Sequence, residues 1–218
     1  MKESWVGPIK DTWEPAELLD QRIVHRGAKW DVVVEQVAIG NSVVQRDVVV
    51  HPGAVAVVAL NEHEQIFLIR QYRQPLGMYL FETPAGLLDH GNEDPLRAAQ
   101  RELAEEAGLM ASDWKVLVDF YNSPGGSSEA IRIFLARGVT QVPGGRIHTG
   151  EAEEVHLPGV WVDLDTACSL VLAGDLGNPT TVVGALAAQS SMRTNWHSLR
   201  PVEAPWQAHV GRKLVRPD

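Results

Sequence analysis

The chain has 218 residues, enough for one core with an appended element, and 44% hydrophobic against 22% charged residues argues against global disorder. With 28 Asp and Glu against 19 Lys and Arg the formal net charge is -9. That balance argues against a nucleic-acid binder and against attraction to an anionic membrane, yet it leaves room for a small phosphorylated ligand bridged to carboxylates by a divalent cation. One cysteine, Cys168, excludes an intrachain disulfide and a CxxC zinc site. No apolar signal core opens the chain and no run approaches 18 apolar residues, so a soluble cytoplasmic protein with no membrane partner is expected.

In chain order, the first 18 residues are mixed and polar, contain Pro8 and Pro15, and read as an arm or loop. Residues 21–50 carry three β-branched runs, Arg22-Ile23-Val24-His25, Asp31 to Val37 and Ser42 to Val50, punctuated by Gly27 and Gly40-Asn41. This is the pattern of a small antiparallel sheet. Pro52-Gly53 breaks the chain; strands are expected at Ala54–Leu60 and Gln65–Tyr72, joined by the polar turn Asn61 to Glu64. Asp94-Pro95 is a helix start and Gly108 a stop, so 95–107 should be helical, with Leu96, Ala99, Leu103 and Ala107 in one stripe facing a sheet. Strands return at 114–121, 129–137 and 160–162, and 165–172 and 180–189 read as two closing helices. The tail from Ser190 lacks periodicity, but Trp196 and Trp206 imply that it packs. The boundaries adopted are 1–50 for an N-terminal arm and β-sheet, 51–189 for a central domain, and 190–218 for a C-terminal tail.

The chemistry concentrates at Glu102, Glu105 and Glu106, spaced i, i+3 and i+4, which project from one side of the expected helix beside the apolar stripe. Carboxylates this close repel one another until a cation, a proton or solvent relieves them. Hard oxygen donors select Mg2+ or Mn2+ over zinc or copper. The competing reading is a solvated acidic helix with an i, i+4 Arg101–Glu105 pair.

These residues resemble the Nudix box, G-x5-E-x7-R-E-U-x-E-E-x-G-U, where U is a bulky aliphatic. Arg101, Glu102, Leu103, Glu105, Glu106, Gly108 and Leu109 match its second half without exception. The first half departs by one residue, since six rather than five separate Gly86 from Glu93. Gln71-Tyr72-Arg73, Glu82-Thr83-Pro84-Ala85-Gly86 and Ser123-Pro124-Gly125-Gly126-Ser127-Ser128-Glu129 look like segments of the ADP-ribose pyrophosphatase subgroup, most of all its actinobacterial members.

The resemblance implies an α+β fold, a Nudix α/β/α sandwich with a mixed sheet, plus an N-terminal antiparallel sheet exchanged across a homodimer. An edge-rich sheet without a helix independently calls for a partner to cover it. The implied reaction is metal-dependent hydrolysis of ADP-ribose to AMP and ribose 5-phosphate. The alternatives are another nucleoside-diphosphate sugar or a dinucleotide (ADP-glucose, GDP-mannose, FAD), or a catalytically silent ligand-sensing module. Carried over residue by residue, the metal ligands would be Glu102, Glu106, the carbonyl of Ala85, and Glu105 directly or through water. Arg101 would orient the glutamates and Glu93 would add an outer contact. The general base would come from the acidic loop beyond the sheet, with Glu154 first and Glu153 second. Substrate contacts would come from Arg73, Arg46 of the N-terminal sheet, Glu82 and the segment of Pro124, with an Arg73–Glu82 structural pair as the competing role for Glu82. His148 and His156 near the acidic loop are not read as ligands. Cys168 is read as a buried apolar residue.

Overall fold

The computed structural model describes residues 4–89, 91, 93–146 and 157–206. It divides into two compact units, Met1–Val49 and Val50–Asp218. The first unit is built on a three-stranded sheet in the order β1 (Glu17–Arg26), β2 (Asp31–Ile39), β3 (Ser42–Val50). β1 and β2 run antiparallel, with irregularities between Leu18 and Asp20 and between Ile23 and His25. Gly40, at φ 59°, turns β2 into β3, a left-handed conformation that glycine adopts without a Cβ clash. β1 is exposed along almost its whole length, including Leu18, Leu19 and Val24.

The second unit contains a mixed four-stranded sheet in the order β7 (Ala85–Leu87), β4 (Ala54–Ala59), β9 (Ala130–Gln141), β8 (Leu109–Tyr121). β4 and β9 are parallel, and the flanking pairs are antiparallel. An antiparallel sheet in the order β10 (Gly159–Asp163), β5 (Gln65–Arg73), β6 (Met78–Glu82) lies in the same unit. The central strands are apolar on both faces, as strands buried on both sides must be. On β4, Val55 and Val57 join Leu103, Ala99 and Phe134 under helix α1 (Pro95–Ala107). Ala56 and Val58 join Ile133, Leu164 and Ala185 under α2 (Leu164–Ala173) and α3 (Pro179–Arg193). The period of two along each strand thus builds two cores on one sheet, and the fold is mixed α+β with the sheet between helices. No helix among the described residues is long and apolar enough to cross a membrane.

Helix α1 begins and ends where its caps place it. Asp94 accepts from the N–H groups of Leu96 and Arg97, Pro95 occupies the first turn, and Gly108 closes the helix at φ 66°. The expected strands are present, but β8 starts at Leu109, directly after the helix, five residues before the expected start, and β6 and β7 form where the sequence pattern delimited no strand. The final helix runs four residues beyond 189, to Arg193. The segment after it packs, as its tryptophans implied. Arg200 bridges to Val116 of β8, and Trp206 is buried with Val116, Phe134 and Leu103.

Candidate active site

Helix α1 holds the acidic cluster against β7, and one guanidinium organises it. Arg101 forks onto Glu93, with Nε donating to Oε1 at 3.2 Å and Nη2 to Oε2 at 3.0 Å. Its Nη1 donates to Glu102 Oε1 at 2.7 Å and to Glu105 Oε2 at 3.0 Å. The hydrogen bonds to Glu93 are the largest cause holding the Arg101 pKa above its ordinary value; burial opposes, and Glu102 and Glu105 add to the rise. Arg101 is therefore charged at every working pH. Glu93, separated from Gly86 by the extra loop residue, thus reaches the cluster through Arg101.

Glu102 and Glu106 are buried, more deeply than the edge position their spacing implied. Glu106 Oε2 accepts the N–H of Ala85 at 2.8 Å, which ties the helix to β7. Gly86 is the point of closest approach, since a Cβ there would occupy the space of the Glu102 carboxylate. Among the described residues no three acidic, histidine or cysteine side chains form a ready ion cage; the three helix glutamates face Arg101 and the Ala85 amide. The donor set nevertheless fits a hard divalent cation. It consists of carboxylate oxygens, two of them buried, beside a backbone kept bare by a glycine.

Arg73 and Glu82 form a bidentate pair, with Nε to Oε1 at 2.8 Å and Nη2 to Oε2 at 2.6 Å. The Glu82 side chain is 2% exposed and that of Arg73 42%, so the guanidinium reaches solvent from a buried anchor. Pro124 lies in the β8–β9 connection, in a turn where Ser123 O accepts from the N–H groups of Gly126 and Ser127 and where Ser123 has φ 56°. Arg46, on β3 of the first unit, is exposed and donates to the carbonyl of Gln45 at 2.8 Å. Glu153 and Glu154, the expected bases, and His148 and His156 lie outside the described residues. Cys168 is buried and donates weakly to Ala185 O at 3.4 Å; burial, then Asp165, pushes its thiol pKa up, as an apolar role requires.

Three groups near these residues went unremarked in the sequence. Arg146 Nε donates to the carbonyl of Glu105 near the end of α1. His51 Nε2 stands 3.5 Å from Glu129 Oε1, Asn122 donates to the other oxygen of Glu129 at 2.7 Å, and the N–H of His51 donates to Ser128. Asn178, Thr180 and Thr181, at the start of α3, meet Thr83. Only the last carried a local sign, since Asn178-Pro179 is a helix-start pair like Asp94-Pro95.

The family model for the NUDIX domain matches residues 50–181. An ADP-ribose pyrophosphatase of Mycobacterium tuberculosis is 38% identical over 191 residues, covering 87% of this chain and 90% of that protein. One of Bacillus subtilis is 40% identical over 114 residues, covering 52% of this chain and 61% of that protein. The crystal structure of an ADP compounds hydrolase matches the fold with a TM-score of 0.70 at 22% identity, covering 85% of this chain and 98% of that one. The second half of the box matched at every position, the buried carboxylates it places against β7, and the family match over residues 50–181 lead to one assignment: the chain belongs to the Nudix family.

Proposed function

We propose that this chain hydrolyses the pyrophosphate bond of ADP-ribose, giving AMP and ribose 5-phosphate, with Mg2+ or Mn2+ as the cofactor. The observation that carries the reaction class is the pair of buried carboxylates, Glu102 and Glu106, on the helix that faces the Ala85-Gly86 backbone. The substrate rests on the likeness to the Mycobacterium tuberculosis ADP-ribose pyrophosphatase across nine-tenths of that protein.

In this reading Glu102, Glu105, Glu106 and the carbonyl of Ala85 hold the cation, which when bound neutralises phosphate charge and acidifies a water. Arg101 keeps the glutamates apart and aimed by charge-assisted hydrogen bonds. Glu154, or failing it Glu153, takes the proton of the attacking water. A P–O bond to that oxygen forms, the bridging P–O bond breaks, and the leaving phosphate departs with the bridging oxygen. Arg73, backed by Glu82, offers its guanidinium to a phosphate, and the Pro124 turn shapes the same end of the substrate. Arg46 contributes from the N-terminal sheet of a partner copy in a homodimer that exchanges residues 1–50; the exposed apolar side chains of β1 support a covered sheet.

The test is a hydrolysis panel with Mg2+ and with Mn2+ over ADP-ribose, ADP-glucose, GDP-mannose, FAD and NADH, with products identified. AMP and ribose 5-phosphate from ADP-ribose at the highest kcat/KM is the expected result. Preference for another member of the panel overturns the substrate, and no hydrolysis of any overturns the reaction.

A further inference from the structure

The connection from β6 to β7, Glu82-Thr83-Pro84-Ala85-Gly86, carries much of the site's backbone, and its far side is held by a helix that contains no site residue. Thr83 and Thr181 are fully buried, and Thr180 and Asn178 nearly so. The Thr83 N–H donates to Thr181 Oγ1 at 3.1 Å, and the Thr181 hydroxyl donates to the carbonyl of Phe81 at 3.1 Å. The Thr83 hydroxyl reaches Thr180 Oγ1 at 2.8 Å, and Thr180 Oγ1 reaches Asn178 Oδ1 at 2.7 Å. Asn178 Oδ1 also accepts the N–H groups of Thr180 and Thr181.

The direction of this chain is set by chemistry. Backbone N–H groups only donate, so the Asn178 atom that faces them is its oxygen, which only accepts. Thr180 must then donate its proton to Asn178 and can only receive from Thr83. Each hydroxyl has one orientation, and the network has no slack. A fully satisfied buried network of this kind rigidifies what it holds.

What it holds is close in sequence to the chemistry. Thr83 follows Glu82, the buried anchor of Arg73, and Ala85 two residues on gives its N–H to Glu106. Pro84 is fixed separately, through its carbonyl and the N–H of Val57. We propose that Asn178, Thr180, Thr181 and Thr83 are positioning residues for the catalytic centre: the first turn of α3 sets the backbone of Glu82–Gly86, and through it the placement of Glu106 for cation binding. This rests on the reading above that Glu106 and Ala85 hold the cation. Outer partners that orient metal ligands characteristically change metal affinity when lost, whereas a merely structural bond changes stability alone.

The experiment compares Thr181→Val, Thr181→Ser and Ser191→Ala in the full chain. Ser191, itself buried near the other end of α3, shares a part-buried hydroxyl contact with Ser198 at 2.8 Å and serves as the control for losing such a bond. Mn2+ binding to the protein alone, without substrate, is measured by titration calorimetry, with thermal melts and ADP-ribose hydrolysis in parallel. Thr181→Val should weaken Mn2+ binding by about 10- to 100-fold, Thr181→Ser should restore it, and Ser191→Ala should lower the melting point with Mn2+ affinity unchanged. Mn2+ affinity of Thr181→Val within about twofold of the wild type, at whatever melting point, overturns the proposal. Where Thr181→Val does not fold, Thr180→Val, which removes the acceptor for the Thr83 hydroxyl and the donor to Asn178 Oδ1 but leaves the Thr181 bonds in place, is judged by the same two outcomes. A wild-type protein that binds no Mn2+ overturns the metal reading itself; wild-type binding with an unaffected variant overturns only the positioning role.

Discussion

At Glu106 the carboxylate has two tasks, a hydrogen bond to the Ala85 N–H and a negative charge beside Glu102, and Glu106→Gln separates them. The amide can still accept from Ala85, so the fold should persist, but the charge is gone. We expect Mg2+-dependent hydrolysis to fall by at least the upper end of the roughly 10- to 100-fold range typical of outer-shell losses. Steady-state kinetics with circular dichroism as the folding control decides it, and unchanged hydrolysis would show that the metal site is wrongly placed. His51 makes a different prediction. Its Nδ1 accepts the Gly53 N–H at 3.1 Å, so the neutral ring carries its proton on Nε2, towards Glu129. Burial, the larger cause, holds its pKa below the ordinary 6.5, with Glu129 opposing. The unfolded chain then binds the proton more readily than the folded one. The contribution of His51 to stability is complete above pH 6.5 and declines as pH falls towards the folded pKa. Urea denaturation between pH 7.5 and 5 should show stability declining on acidification, and His51→Gln should flatten that decline.

At the scale of elements, helix α1 was legible almost to the residue because its boundaries are written in local chemistry: Asp94 caps, Pro95 starts and Gly108 stops. β7 was not, since Ala85-Gly86-Leu87, directly after Pro84, is too short to show an alternation, and only pairing with β4 makes it a strand. The early start of β8 has the same origin. Met110-Ala111-Ser112-Asp113 has little β-propensity, and pairing with residues 137–141 of β9 imposes the strand. The box glutamates and Arg101 could be read from spacing. The Thr83 network could not, because its members lie nearly a hundred residues apart and meet only through tertiary packing. The approach of β7 to α1 yields a further test. Gly86→Ala places a methyl where the Glu102 carboxylate lies, so that side chain must turn away. Turnover should drop by about 10- to 100-fold with Mg2+ affinity weakened, while far-UV circular dichroism stays that of the wild type. Wild-type kinetics in this variant would mean that Glu102 has no fixed role beside β7.

For the whole molecule, the stretch that follows α3, as far as Trp206, is part of the second unit's core. Arg132 is buried, forks onto Asp119 at 2.8 and 2.9 Å, donates to the carbonyls of Ala204 and Pro205, and lies 5.0 Å from the ring of Trp206. Arg200 donates to the same aspartate at 2.9 Å. Arg132→Ala leaves Asp119 and two carbonyls without that donor and should cost about 3–5 kcal/mol of stability in chemical denaturation; a loss below about 1 kcal/mol would place the energy of the clasp elsewhere. Part of the acidic surplus behind the net charge of -9 is concentrated in the glutamates of α1. The carboxylates of α1 should repel a diphosphate until a divalent cation arrives, so calorimetry should detect no ADP-ribose binding in EDTA and clear binding once Mg2+ is in excess. The Arg101 hub has a consequence for which cations can enter. Glu102 and Glu105 already have a resident competitor, a delocalised guanidinium locked in place by its fork on Glu93. An arriving ion must outbid that guanidinium for the same oxygens, so occupancy depends on a difference of two affinities. Sodium and potassium, with one charge apiece, should lose that exchange where a divalent cation wins it, so that on the proposed metal reading the guanidinium would act as a valence filter at the helix carboxylates.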